Sequence, residues 1–108
     1  MGKEIMIGEL VKYPAPKGWD RDKIVEDAWT VVPKWQAEEQ LVRKHFMWSD
    51  DGEWLSGFYL WRSREAAEAA HNDEWKAAVK ERTGKLPEIS YFDAFLILDN
   101  ESGEATLV

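Results

Sequence analysis

The stretch EISYFDAFLILD, Glu88 to Asp99, is apolar on both of its alternating faces and carries one carboxylate, Asp93, in its middle. Side chains alternate along a strand, so Phe92, Ala94, Leu96 and Leu98 point one way and Ile89, Tyr91, Phe95 and Ile97 the other. A strand with two greasy faces needs cover on both, and the question is what supplies it.

The rest of the chain gives the elements available. Glu4 to Tyr13 (EIMIGELVKY) reads as a first strand, and PAPKG at Pro14 to Gly18 breaks it. Ile24, Ala28, Val31, Val32 and Trp35 fall on one stripe of an amphipathic helix, with Asp20 or Asp22 as N-cap. Pro33 is expected to end or kink that helix. Leu41 to Trp48 (LVRKHFMW) and Trp54 to Trp61 (WLSGFYLW) flank the turn residues SDDG and read as a hairpin. Ser63 is placed to cap a second helix, with Asn72 and Asp73 as an interruption and Gly84 and Pro87 as its close. The polar residues from about 99 to 108 are a frayed tail or a short extra strand.

The order β-α-β-β-α-β predicts an α+β, ferredoxin-like fold. Right-handed crossovers then place both helices on one face of a four-stranded antiparallel sheet. One apolar row of the last strand is left uncovered. Its four side chains hold about 6–12 kcal/mol of burial, comparable with the whole stability of a small domain at about 5–15 kcal/mol. A wet sheet edged with Tyr and Trp is one solution. The stronger one is a second copy, two sheets meeting in a homodimer. Asp93, sharing its face with Tyr91 and Phe95, is expected to look into the cavity left between the sheets.

Composition bounds the partners. The 108 residues suffice for a single domain spanning 1–108. Lys plus Arg is 14 and Asp plus Glu 21, a net charge of −7 that opposes nucleic acid and anionic membranes as partners. No apolar run reaches membrane-spanning length and the N-terminus lacks a signal-peptide layout, so a cytoplasmic location is expected. There is no cysteine, hence no thiolate chemistry. Seven Trp in so short a chain suggest an aromatic pocket or interface as readily as a core.

The strand GFYLW (Gly57, Tyr59, Leu60, Trp61), the following SREAAEAA, and Phe92 and Asp93 in SYFDA resemble the YdhR-like mono-oxygenases of the dimeric α/β-barrel superfamily. HFMWSDD, His45 to Asp51, matches the aromatic strand before that motif, and the resemblance runs from about Pro33 onward. It implies a homodimeric barrel with a ligand cavity in each subunit and no established cofactor. Haem-degrading members of the superfamily carry a Trp and a His where this chain has Ala70 and Lys80, and an Asn absent from Glu4 to Tyr13. That departure argues against haem degradation.

Candidate chemistry follows. Asp93, desolvated among aromatics, is a candidate general base. His45 is a second, if its row with Arg43 faces the cavity. Tyr59, Trp61, Tyr91, Trp48 and Phe95, with Arg43, are candidates for binding a flat substrate. His71 reads as a surface residue. No metal-spaced cluster, nucleophile elbow or phosphate loop occurs. The expected function is a cofactor-independent mono-oxygenase acting on a small aromatic or polyketide-like molecule. The alternatives are a dimeric small-molecule-binding protein, or an isomerase, cyclase or lyase using the same pocket.

Overall fold

The computed structural model describes residues 6–108, so the start of the expected first strand, at Glu4, lies outside the described residues. The elements run β1 (Ile7–Pro14), α1 (Arg21–Gln36), β2 (Leu41–Trp48), β3 (Trp54–Trp61), α2 (Arg64–Ala70), α3 (Asp73–Thr83), β4 (Glu88–Asp93), β5 (Leu96–Asp99) and β6 (Glu104–Leu107). Strands β1 to β4 form an antiparallel sheet in the order β2-β3-β1-β4. This is the expected ferredoxin-like arrangement.

Local chemistry accounts for the helix boundaries. The side chains of Asp20, Ser63 and Asn72 accept the backbone N–H groups of Lys23, Ala66 and Trp75, capping the three helices. The second helical stretch divides at His71–Asn72 because Asn72 starts a new helix there. Gly84 ends α3 with φ of 86°, a left-handed conformation that costs glycine no Cβ clash. Pro33 does not end the helix, one of the two outcomes expected there: α1 continues through it to Gln36. Trp35, only 8% exposed, anchors that last turn in the core and outweighs the missing hydrogen bond.

The opening stretch also differs from a single strand. β4 pairs with β1 from Glu88 to Asp93, and the last contact is the Ala94 N–H to the Met6 carbonyl. Beyond it the chain leaves the sheet. Leu96–Asp99 instead pairs with Glu104–Leu107 in a separate two-stranded hairpin. Phe95, Leu96, Leu98 and Leu107 stand exposed around this arm.

Register decides the faces. Val11, Tyr59 and Trp61 lie on the sheet face that buries Trp35 of α1 and Ala67 of α2, with Ile89 and Tyr91 packed beside them. Tyr91, paired with Glu9, therefore faces the helices and not the uncovered side, contrary to expectation. The uncovered row is the other one: Leu10, Phe58, Leu60 and Phe92, the last 51% exposed. The expectation had taken the Tyr91 row as the uncovered one; alternation along a strand defines two rows but not which of them the helices cover.

Candidate functional site

A cavity of about 380 Å³ opens between α1 and the sheet, within one protomer. That volume is in the range of small-molecule sites. The floor comes from alternate residues of β1, β2 and β3, including Val11, Tyr13, Phe46, Trp48 and Tyr59; Ile24, Ala28 and Val31 of α1 form the roof. The roof is made of the same stripe that makes the helix amphipathic, and its small side chains leave the space. Gly57 adds to it: a Cβ there would come within 2.9 Å of the Tyr59 ring and 3.3 Å of the Lys44 stem.

Lys44 is the notable polar group on the floor. It follows the inward phase of Phe46 and Trp48 on β2, and its Nζ lies 4.0, 4.5 and 4.6 Å from the ring centres of Phe46, Trp35 and Tyr59. Burial, with repulsion from Lys34 added and only partly offset by Glu9, lowers its pKa to about 7. Ring faces compensate some of the lost hydration. Burial also pushes the Tyr59 hydroxyl well above the usual phenol range, so it serves as a neutral hydrogen-bonding group.

Behind this floor lies a second polar cluster. Glu9 and His71 are buried completely or nearly so. The Trp61 indole N–H donates to Glu9 Oε1 at 2.8 Å, and His71 Nδ1 lies 2.9 and 3.0 Å from the two carboxylate oxygens. The rings of Tyr59 and Trp75 stand edge-on to the His71 imidazole at 4.7 and 4.5 Å, and among the described residues its Nε2 has no hydrogen-bond partner. His71 is thus a core residue, not the surface residue expected. Tyr91 borders the cluster, its hydroxyl pushed up to about 12 first by burial and then by the Glu9 carboxylate.

The residues singled out from sequence are divided by this geometry. Tyr59 and Trp48 line the cavity. Trp61, fully buried, supports Tyr59 from behind by stacking at 5.9 Å. Tyr91 sits under the Arg64 guanidinium at 4.2 Å, outside the cavity. Asp93 is exposed at the end of β4, opposite Ile7, and is not buried among aromatics as expected. His45 and Arg43 pair with Phe58 and Leu60 on the far face and are exposed. Phe95 lies beyond the sheet, 63% exposed. Glu9, Lys44, Trp35 and Trp75 were missed. The signal for Glu9 and Lys44 was their phase, a charged residue sharing the inward row of a strand.

No family profile matches the sequence, and no curated protein does. Solved structures do. A monooxygenase of Streptomyces coelicolor, in complex with nanaomycin D, is similar at 18% identity and a TM-score of 0.60, covering 83% of this chain and 88% of that one. A Bordetella bronchiseptica protein described as an antibiotic biosynthesis monooxygenase is similar at 14% identity and 0.61, covering 82% and 96%. A conserved protein of Methanosarcina mazei gives 14% and 0.62, covering 83% and 93%. Likeness at this level establishes a shared ferredoxin-like fold and nothing beyond it. No helix among the described residues is long and apolar enough to cross a membrane.

Proposed function

We propose that this protein is a cofactor-independent mono-oxygenase that oxidises a small aromatic or polyketide-like molecule in the cavity beneath α1. The observation that carries the reading is that cavity itself, walled by Tyr13, Phe46, Trp48 and Tyr59, in a fold shared with monooxygenases. Aromatic walls suit a flat ligand, and exclusion of water suits a reactive carbanion or phenolate. In such a reaction the bound substrate loses a proton and passes electrons to O₂. One oxygen atom stays on the ring carbon as a carbonyl and the other leaves as water, so a ring CH₂ becomes C=O with no external reductant.

The working unit in this reading is a homodimer. The far face, with Leu10, Phe58, Leu60 and Phe92, and the apolar arm beyond β4 would be covered by a second copy. The exposed positions of Asp93 and His45 favour a second reading, a dimeric protein that binds such molecules without turnover, because both expected bases lie outside the cavity. Oxygen uptake with anthrones and naphthols, with no cofactor added, separates the two. Catalysis predicts one O₂ consumed per product and one ¹⁸O atom retained from ¹⁸O₂. Binding without uptake by any of them supports the second reading.

A further inference from the structure

We propose that the cavity selects a planar aromatic anion, a phenolate or an aromatic carboxylate, and that Lys44 is the group that holds its negative oxygen. The inference rests on the cavity being the ligand site and names the class of ligand. Charge distribution is the first support. The chain as a whole has 21 acidic residues against 14 basic ones, yet the cavity is bordered by Arg21, Lys34, Lys44 and Arg82 and by one acid, Asp27. The local balance reverses that of the protein, which is the arrangement that favours an anion over neutral competitors.

Geometry is the second. Among the described residues no carboxylate lies within ion-pair distance of Lys44; the ammonium has ring faces around it instead. Lys34 lies 4.7 Å from the same Trp35 ring, so two cations share one indole. An anion entering between the rings pairs with Lys44 and relieves the Lys34–Lys44 repulsion, while its aromatic body replaces water against Tyr59 and Phe46. The titratable groups around Lys44 are Lys34 and Asp27 on α1, Glu9 and Tyr13 on β1, Tyr59 on β3 and Arg82 on α3. Of these Glu9 is held by Trp61 and His71, leaving Lys44 for the ligand.

The two sources of such an anion behave differently. A carboxylate arrives already charged and needs Lys44 protonated, so its binding at pH 8 takes up a proton. A phenol brings its own proton, which passes to the neutral amine, so no net uptake occurs.

Titration calorimetry with 2-naphthoate, 2-naphthol and 2-naphthamide, in buffers of different ionisation enthalpy, tests the proposal. The expected result is at least tenfold tighter binding of naphthoate than of naphthamide at pH 7, with proton uptake at pH 8 for naphthoate and none for naphthol. Lys44→Met should abolish the naphthoate preference while keeping naphthamide affinity, and Lys44→Arg should keep most of it. Equal affinities for acid and amide, or a preference untouched in Lys44→Met, overturn the proposal. If the Met variant does not fold, Lys44→Gln takes its place, and an acid preference untouched in that variant overturns the proposal. Turnover is not measured, so loss of the acid preference leaves oxygenation standing, and absence of oxygen uptake leaves this preference standing.

Discussion

Nδ1 of His71 lies 2.9 Å from one carboxylate oxygen of Glu9 and 3.0 Å from the other, across 62 residues of chain, and the pair is sealed from solvent. It ties the turn between α2 and α3 to the middle of β1. Trp61 shares the same carboxylate, so three elements meet on one buried charge-bearing group.

Such a pair is expensive to break from one side, because the remaining partner is left buried without its hydrogen bonds. Removal of one member of a buried pair costs about 3–5 kcal/mol. His71→Ala is therefore predicted to lower the unfolding free energy in urea by about that amount. The double replacement Glu9→Leu with His71→Phe should recover only part of the loss, since the buried Trp61 indole N–H then loses its acceptor. A loss below about 1 kcal/mol for His71→Ala would show that the pair does not hold the turn.

Lys44 makes stability depend on pH in a definite direction. Its pKa is lowered to about 7 in the folded protein from the ordinary lysine value of 10.5. Between those values the unfolded chain binds the extra proton, so this group's contribution to stability rises with pH through that window. Below pH 7 the folded state bears the cost of a buried ammonium. Lys44→Met is thus predicted to be more stable than the unaltered protein at pH 6, by about 1–2 kcal/mol once solvent screening is allowed for. The gap should close towards pH 10. Parallel stability curves for the two proteins would contradict the shift.

Gly57 keeps space for both Tyr59 and Lys44. In Gly57→Ala the added methyl must displace the Tyr59 ring or the Lys44 stem, and both bound the cavity. The expected outcome is about tenfold weaker binding of 2-naphthoate, near 1.4 kcal/mol, with a smaller change in melting temperature than His71→Ala produces. Unchanged affinity would mean that neither side chain needs its present position.

The element order, the hairpin boundaries at Leu41–Trp48 and Trp54–Trp61, and the Asp20 and Ser63 caps were legible because each rests on local chemistry. The end of β4 was not. Nothing local stops EISYFDAFLILD from extending; it stops pairing where β1 ends, which is a tertiary fact. Which row of β4 the helices cover is likewise a tertiary fact, and the expectation had placed Tyr91 and Asp93 on the uncovered one. Tyr59 and Trp48 line the cavity, and both were conspicuous in the sequence as aromatics on paired strands. Lys44 and Glu9 were not singled out, although each shares the phase of an inward neighbour, Phe46 and Val11 respectively.

The far face gives a prediction about assembly. Phe92 is exposed beside Gly8 and Phe58 on the side without helices. If a second copy covers that row, Phe92→Asp should convert a dimer to a monomer in light scattering at micromolar concentration, since a buried unpaired carboxylate is costly. A monomer before substitution, or a dimer surviving it, would place the interface elsewhere or nowhere.

The most direct measurement compares oxygen consumption, with an anthrone as substrate and no cofactor, for the unaltered protein and for Ala28→Phe. Ala28 looks from α1 into the cavity, and a phenyl group there fills the space a ligand needs. The account predicts stoichiometric oxygen uptake by the unaltered protein and at least a tenfold lower rate in the folded variant. Uptake that continues undiminished with the cavity filled would contradict it.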